Sequence, residues 1–352
     1  MMGYPLEGDK GKYFGIFWAI FNAGGVVGNM IPMAMSWNDG NKAKQVSTAT
    51  YIVFMCITAF GAVLSLLLLP ASKITRNDGS PVTKVKFSSP IIEVRGILSL
   101  FKDWRMLALF PMFFTSNWFY TYQFNLNAVN SASIRSRSFD SAFYWGAQVV
   151  ASLAFGVLLD RPQWTRSTRG RYGFVILVAI LIATWGGAIG FQSGVGPRNI
   201  IDTDGVYSTA PGDFESLDLI DTTGEWIKFF LLYIMFGACD AMFQAYAYWL
   251  MGSLSNDIHV VARYSGFYKF AQNIGGIFAG QVANSRISNT AEHLNIATTH
   301  GMGELGVCIA LLAFSVICAT PVVLKAIQDT TVEDVFEEEQ KQKQEYADDA
   351  NV

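Results

Sequence analysis

Eight apolar stretches, at residues 13–35, 48–69, 106–129, 138–159, 172–191, 226–250, 262–284 and 302–324, dominate the chain. Each matches the roughly 20 apolar residues that a helix needs to cross a bilayer core. In lipid such a segment must satisfy its own backbone hydrogen bonds, which a helix does within itself. The expected fold is all-α: a polytopic membrane bundle of about eight transmembrane helices. A soluble bundle with long buried helices is the alternative, and the composition argues against it. Charged residues make up only 15% of the chain and apolar ones 51%, whereas soluble domains carry nearer a quarter charged. The first run is too long and begins too late to be a signal peptide.

Composition also removes several function classes. A net charge of −3 speaks against nucleic acid as a partner, since phosphate binding needs clustered positive charge. Cys56, Cys239, Cys308 and Cys318 all fall inside apolar runs, without metal-ligand spacing. His259, His293 and His300 are scattered at the edges of the runs. Neither a disulfide framework nor a metal site is expected, and no cofactor motif occurs. An enzyme would need convergent His, Asp, Glu or Cys near one interface, so enzymatic activity is not expected.

The connections alternate in charge. One set holds Lys10 and Lys12; Lys73, Arg76, Lys84, Lys86, Arg95, Lys102 and Arg105; Arg161, Arg166, Arg169 and Arg171; Arg263; and the C-terminal tail. The other set holds Lys42, Lys44, Arg135, Arg137, Arg198 and Arg286. The richer set is expected on the cytoplasmic side, with both termini. The acidic loop 192–225 then lies outside. Segment 71–104 reads as a basic cytoplasmic linker, with a turn at RNDGSP and an interfacial amphipathic helix at IIEVRGILSLF. Residues 325–352 read as an acidic, solvated tail.

Six of the runs follow that linker. GVLLDRPQWTRSTRGR, residues 156–171, stands between the second and third of them. Gly156-x-x-x-Asp160-Arg161 at such a turn resembles the signature of the major facilitator superfamily, whose members are two six-helix halves joined by a long cytoplasmic loop. Further stretches, YPLEGDKGKYFGIFWAIFNAGG, LFPMFFTSNWFYTYQFN, FGACDAMFQAYAYWLMGSLSND and RYSGFYKFAQNIGG, resemble the fungal branch of the uncoordinated-ninety-three-like membrane proteins, a subfamily of that superfamily. The resemblance runs from about residue 4 to about residue 324. It implies that residues 1–70 carry the last two helices of an incomplete N-terminal half and residues 105–324 a complete C-terminal half. About eight helices of an expected twelve are then present, and the four absent ones would belong to a longer parent or mark a real short form. It also implies that Asp160 sits against a neighbouring helix end and stabilises one state of an alternating-access cycle. Arg161, Arg166 and Arg169 complete this cytoplasmic gate motif. Which arginine faces Asp160 stays open, because the spacing departs from the family pattern after Arg161.

Polar groups in lipid are costly unless they face a cavity or a partner. Asn117, Thr121 and Asn125 are spaced to share a helix face, with Tyr120, Tyr122 and Gln123 beside them. The resemblance places this helix along the central cavity. Asp240, Gln244 and Tyr248 form a second such stripe, and Lys269, Gln272 and Asn273 a third. At about 1.5 Å per residue, Asp240 and Lys269 differ by only about 5 Å in depth. Lys269 therefore has three options: pairing with Asp240, bonding Gln244, or snorkelling to the interface. The same stripes also serve plain helix-to-helix hydrogen bonding. Gly24-x-x-x-Gly28 and Gly276-x-x-x-Gly280 read as close-packing motifs, with Asn22 and Asn29 near the first. The expected function is secondary transport of a small solute or ion. The alternative, raised by the resemblance, is a transporter-shaped accessory protein that regulates or escorts another membrane protein, or an inactive truncated form. The expected partners are the bilayer, an unidentified solute or ion and, in the alternative, a membrane protein.

Overall fold

The computed structural model describes residues 10–39, 46–69, 73, 89–131, 133–194, 200–201, 207–208, 217–255, 257–284, 302–327 and 329. Most of the outer loop, the RNDGSP turn, the tail beyond 329, His293 and His300 lie outside the described residues. Ten α-helices account for nearly all of the described chain: α1 (Lys10–Met35), α2 (Thr48–Ser65), α3 (Pro90–Ser99), α4 (Trp104–Thr115), α5 (Trp118–Asn130), α6 (Ile134–Leu159), α7 (Arg166–Gly194), α8 (Thr223–Ser253), α9 (Ile258–Asn284) and α10 (Met302–Lys325). A two-residue antiparallel ladder joins β1 (Ile200–Ile201) to β2 (Tyr207–Ser208). The molecule is an all-α polytopic membrane bundle.

Among the described residues, α1, α2, α6, α7, α8 and α10 are long and apolar enough to cross a membrane. The other two expected spans differ in instructive ways. α9 has the length, 27 residues, but carries Arg263, Lys269, Gln272 and Asn273. The run 106–129 is interrupted: α4 ends at Thr115 and α5 starts at Trp118. Pro111 lacks the N–H that would support the preceding turn. The Thr115 hydroxyl donates back to the Pro111 carbonyl at 2.7 Å and the Ser116 hydroxyl to the Phe113 carbonyl at 2.7 Å. Such back-bonding lets side chains take over carbonyls that the helix has released.

Side-chain caps set several starts. Ser47 Oγ accepts from Thr50 N, Asp103 Oδ1 from Arg105 N, and Ser133 Oγ from Ser136 N, which satisfies first-turn donors of α2, α4 and α6. The stretch 91–101, read above as an interfacial helix, forms α3 and a following 3-10 turn, Leu100–Lys102. It is fastened to α9 by the Glu93–Arg263 ion pair at 3.0 Å.

α8 is the central element. Every residue from Cys239 to Ser253 is buried, and α6, α7, α9 and α1 pack around it. Tyr144, Tyr233, Tyr246, Tyr264, Tyr268, Phe113 and Phe119 fill the core with rings under 3% exposed. By contrast, α2 turns Tyr51, Ile52, Met55, Phe60 and Val63 outward, the apolar surface that a bilayer accepts.

α1 runs antiparallel along α6. Gly11 meets Gly156, Gly15 meets Ser152 and Gly25 meets Trp145. A Cβ on Gly156 would stand 2.7 Å from the Gly11 carbonyl oxygen, and one on Gly11 2.7 Å from Asp160 Oδ1. The glycines that permit close approach are therefore not the expected ones. Gly24, Gly28 and Gly280 have open space at the Cβ position, and Gly276 only an ordinary contact. The tight point on α9 is Gly275, where a Cβ would collide with the Phe114 carbonyl beside the α4–α5 break.

Candidate functional site

Two groups of polar side chains reach into the bundle, the second with the exposed Lys269 at its rim, and a third and fourth lie at opposite ends of α6. The first interior group centres on Asp240 of α8, 1% exposed. Gln123 Nε2 donates to Asp240 Oδ1 at 3.0 Å. The Tyr144 hydroxyl of α6 lies on Asp240 Oδ2 and 2.8 Å from Gln123 Oε1. Gln123 and Tyr144 are both 0% exposed.

The second group forms a belt. Lys269 Nζ donates to Gln272 Oε1 at 2.7 Å and lies over the rings of Tyr268 and Tyr248, 5.4 and 5.8 Å from their centroids. Gln272 Nε2 reaches Tyr268 Oη at 2.9 Å, Ser116 Oγ at 3.1 Å and Gln244 Oε1 at 3.2 Å. Gln244 Nε2 donates to Tyr120 Oη at 2.8 Å. Ser116 belongs to the α4–α5 break, so the break supplies a member of the belt. Beyond Tyr120, whose ring stacks on Trp145, the polar line continues at the α1–α6 contact. There Trp18 Nε1 donates to Gln148 Oε1 at 3.3 Å. Gln148 Nε2 and both side-chain atoms of Asn22, one turn from Trp18, are buried without a hydrogen-bond partner. Unpartnered buried amides are rare in folded proteins and call for an explanation.

The residues of the Gly156–Asp160–Arg161 motif make contacts at one end of α6. Asp160 Oδ1 accepts from Gly11 N at 2.9 Å, and Oδ2 accepts from Lys12 N. These are first-turn N–H groups of α1, so the carboxylate caps that helix and meets the positive end of its dipole. The arginines serve other helix ends. Arg166 donates to Ser253 O at the end of α8, and Arg169 to Leu159 O at the end of α6. Arg161 lies 4.9 Å over the Trp164 ring. Gly156 is the close-contact residue already described.

At the other end of α6, Arg135 is buried and paired with Asp218 at 2.6 Å and Asp221 at 3.0 Å. It also reaches the Trp37 carbonyl just past α1. Burial pushes the Asp218 carboxyl up. Arg135, the hydroxyls of Ser133 and Ser136 and the Ile220 amide outweigh it and hold the group well below the usual carboxylate range. α1 is thus tied to α6 at both ends.

The expected residues are distributed as follows. Asp240, Gln123, Tyr120, Gln244, Tyr248 and Lys269 are brought together in the two interior groups. Lys269 chooses Gln272, which hands the contact on to Gln244, and the Asp240–Lys269 pair does not form, because Gln123 and Tyr144 enclose the carboxylate. Asn117 sits in the break ahead of α5 and does not continue the stripe of Thr121 and Asn125. Asn125 and Asn273 are exposed, with Asn125 beside Glu304 of α10. Thr121 is half-buried. Sequence reasoning missed Tyr144, Gln148, Ser116, Trp18 and the Arg135–Asp218 latch. The single mid-run polar residues on α6 were the available signal.

A bundle of membrane-crossing helices with a polar interior is that of an integral multi-pass membrane protein of transporter-like type. The chain is 38% identical over 287 residues to UNC93-like protein 1 of Arabidopsis thaliana, a match covering 82% of this chain and 60% of that one. It is 36% identical over 332 residues to an UNC93-like protein of Schizosaccharomyces pombe, covering 94% and 61%. It is 24% identical over 320 residues to a notoamide biosynthesis cluster protein of Aspergillus versicolor, covering 89% and 63%. The chain belongs to the UNC93-like membrane proteins, and it spans about three fifths of the length of these curated relatives. No family model matches it, and no solved structure does.

Proposed function

We propose that the chain is part of a secondary transporter of the major facilitator type, in which a small solute or ion crosses along the interior belt by alternating access. The observation that carries this reading is the belt itself. Helices α5, α8 and α9 and the α4–α5 break contribute hydrogen-bonding groups to one line, and that line points to the unpartnered amides of Asn22 and Gln148. Buried amides without partners call for an explanation, and a solute that passes them supplies one. The interruption at Ser116–Asn117 supports the reading, because broken helices at cavity walls are a recurrent feature of transporter binding sites. So does Asp160, which joins α6 to the end of α1 through a contact that a rocking motion can make and break. We place the Asp160 end and both termini on the cytoplasmic side, from the excess of Lys and Arg there. In this reading the chain catalyses no covalent chemistry.

Uptake into lipid vesicles tests the proposal, comparing the parent chain with Asp240→Asn and Gln272→Leu across inorganic salts, amino acids and sugars. Uptake of one class, reduced at least tenfold in Gln272→Leu, supports it. No uptake, together with a stoichiometric membrane protein that copurifies, would move the reading to the accessory role.

A further inference from the structure

The Asp240–Gln123–Tyr144 ring is a three-membered cycle of hydrogen bonds, and counting its protons leads to a ligand. Three contacts close it: Gln123 Nε2 to Asp240 Oδ1 (3.0 Å), Tyr144 Oη to Gln123 Oε1 (2.8 Å), and Tyr144 Oη to Asp240 Oδ2. The amide supplies the hydrogen for the first. Two contacts remain, both between oxygens, and the tyrosine hydroxyl carries one hydrogen. With an ionised carboxylate, one oxygen–oxygen contact would face lone pair to lone pair inside a site that water does not reach. With one added proton the cycle closes head to tail. Gln123 Nε2–H donates to Asp240 Oδ1, Asp240 Oδ2–H donates to Tyr144 Oη, and Tyr144 Oη–H donates to Gln123 Oε1.

We propose that this ring is a proton-binding site, with the proton held on Asp240 Oδ2 between α5, α6 and α8. It supplies the coupling ion of the transport reading and rests on that reading for this role, but not for the proton itself. The spacing discriminates against a metal cation. Oxygens that ligate one ion at about 2.3–2.6 Å stand more than about 3 Å apart in regular geometry, farther than the Tyr144–Gln123 contact of 2.8 Å. Among the described residues, no cation is paired with Asp240. Lys269 of α9, the basic group of the neighbouring belt, is engaged with Gln272. The titratable groups that face Asp240 are neutral donors or thiols: Tyr120 on α5, Tyr144 on α6, Cys239 and Tyr233 on α8, and Cys308 on α10. From α7 come Thr184 and Trp185, beside Cys239. Asp140, one turn from Tyr144 on α6, is occupied by Ser131 and Trp226. An uncompensated carboxylate in such surroundings takes up a proton rather than remain charged. Release requires the ring to open, as it does when α5, α6 and α8 move relative to one another.

Infrared spectroscopy of the purified chain in lipid nanodiscs at neutral pH reads the proton directly and needs no transport. A carboxylic-acid carbonyl band is expected in the parent, shifted in D2O and lost in Asp240→Asn. Tyr144→Phe removes the oxygen that accepts from the acid and should move the band to higher frequency, which assigns it even where Asp240→Asn does not fold. A parent spectrum with carboxylate bands alone overturns the proposal. So does an acid band that Tyr144→Phe leaves in place, since it then belongs to another carboxyl such as Asp140. An assigned band in a chain that moves no solute would overturn the transport reading and leave the proton site standing.

Discussion

Asp160→Asn attacks the contact between α6 and α1 with the least change of shape. The wild-type carboxylate accepts from Gly11 N and Lys12 N and carries a full charge at the start of α1. Asparagine keeps one acceptor oxygen and loses the charge. Losing a helix N-cap costs about 0.5–2 kcal/mol, and the charge–dipole contribution is about 0.3–1 kcal/mol in exposed settings. Asp160 is half-buried and one acceptor survives, so about 1–2 kcal/mol is expected. At about 1.4 kcal/mol per tenfold, the equilibrium between the joined and separated states shifts by roughly five- to thirtyfold. The assay is spin-label distance measurement between the start of α1 and the end of α6 in nanodiscs. The mutant should show a grown long-distance population, while the labels at the Arg135 end of α6 stay put. Gly11→Ala should do the same by a different route, because its Cβ would press on Asp160 Oδ1 and on the Gly156 carbonyl. Unchanged distances in both variants would show that the cap does not hold the two helices together.

Other outcomes follow from the same packing. Gly275→Val should lower thermal stability by about 1–3 kcal/mol, the cost of overpacking, because the Phe114 carbonyl occupies the space; Gly280→Val, on the same helix with open space, should melt like the parent. Arg135→Ala leaves Asp218 buried without its cation and should cost about 3–5 kcal/mol, read by thermal unfolding. Because Asp218 is held below its ordinary value of about 3.9, the latch's contribution is complete above that pH and fades as pH falls through the folded value. The latch's contribution should therefore be full and constant between pH 5 and 8, and acid titration of the parent against Asp218→Asn checks the sign. Asp329 is held low against burial by the Ser167 amide and hydroxyl; Ser167→Glu should free the segment after α10, seen as faster proteolysis beyond Lys325.

The sequence showed the fold class well because hydrophobic run length is a strong signal in lipid. Six of the eight runs are single helices that meet the length and hydropathy needed, and IIEVRGILSLF does form a helix, α3. The α4–α5 break was not legible. Pro111, Thr115 and Ser116 each tolerate helix, and only their combination against α9 at Gly275 ends it there. The small-residue motifs misled for a related reason: spacing identifies glycines on one face but not the face that meets a partner. Asp160 stood out in the sequence as a carboxylate at a helix end, yet its partners are the backbone N–H groups of Gly11 and Lys12, which no residue type can flag. The interior stripes on α8 and α9 were legible as periodic polar positions. Their pairing was not, because depth along a helix is readable and azimuth is not. Asp240 and Lys269 match in depth and bond different neighbours.

The central claim is that the belt from Lys269 to Tyr120 receives a solute. Thermal unfolding of the purified parent chain with inorganic salts, amino acids and sugars, beside Gln244→Leu and Gln272→Leu, tests it most directly. A solute present at 100 times its dissociation constant stabilises the folded chain by about 2.7 kcal/mol. We expect one solute class to raise the unfolding temperature of the parent and to leave both variants where they melt alone. Equal stabilisation of parent and variants, or none in the parent by any solute, would contradict the claim.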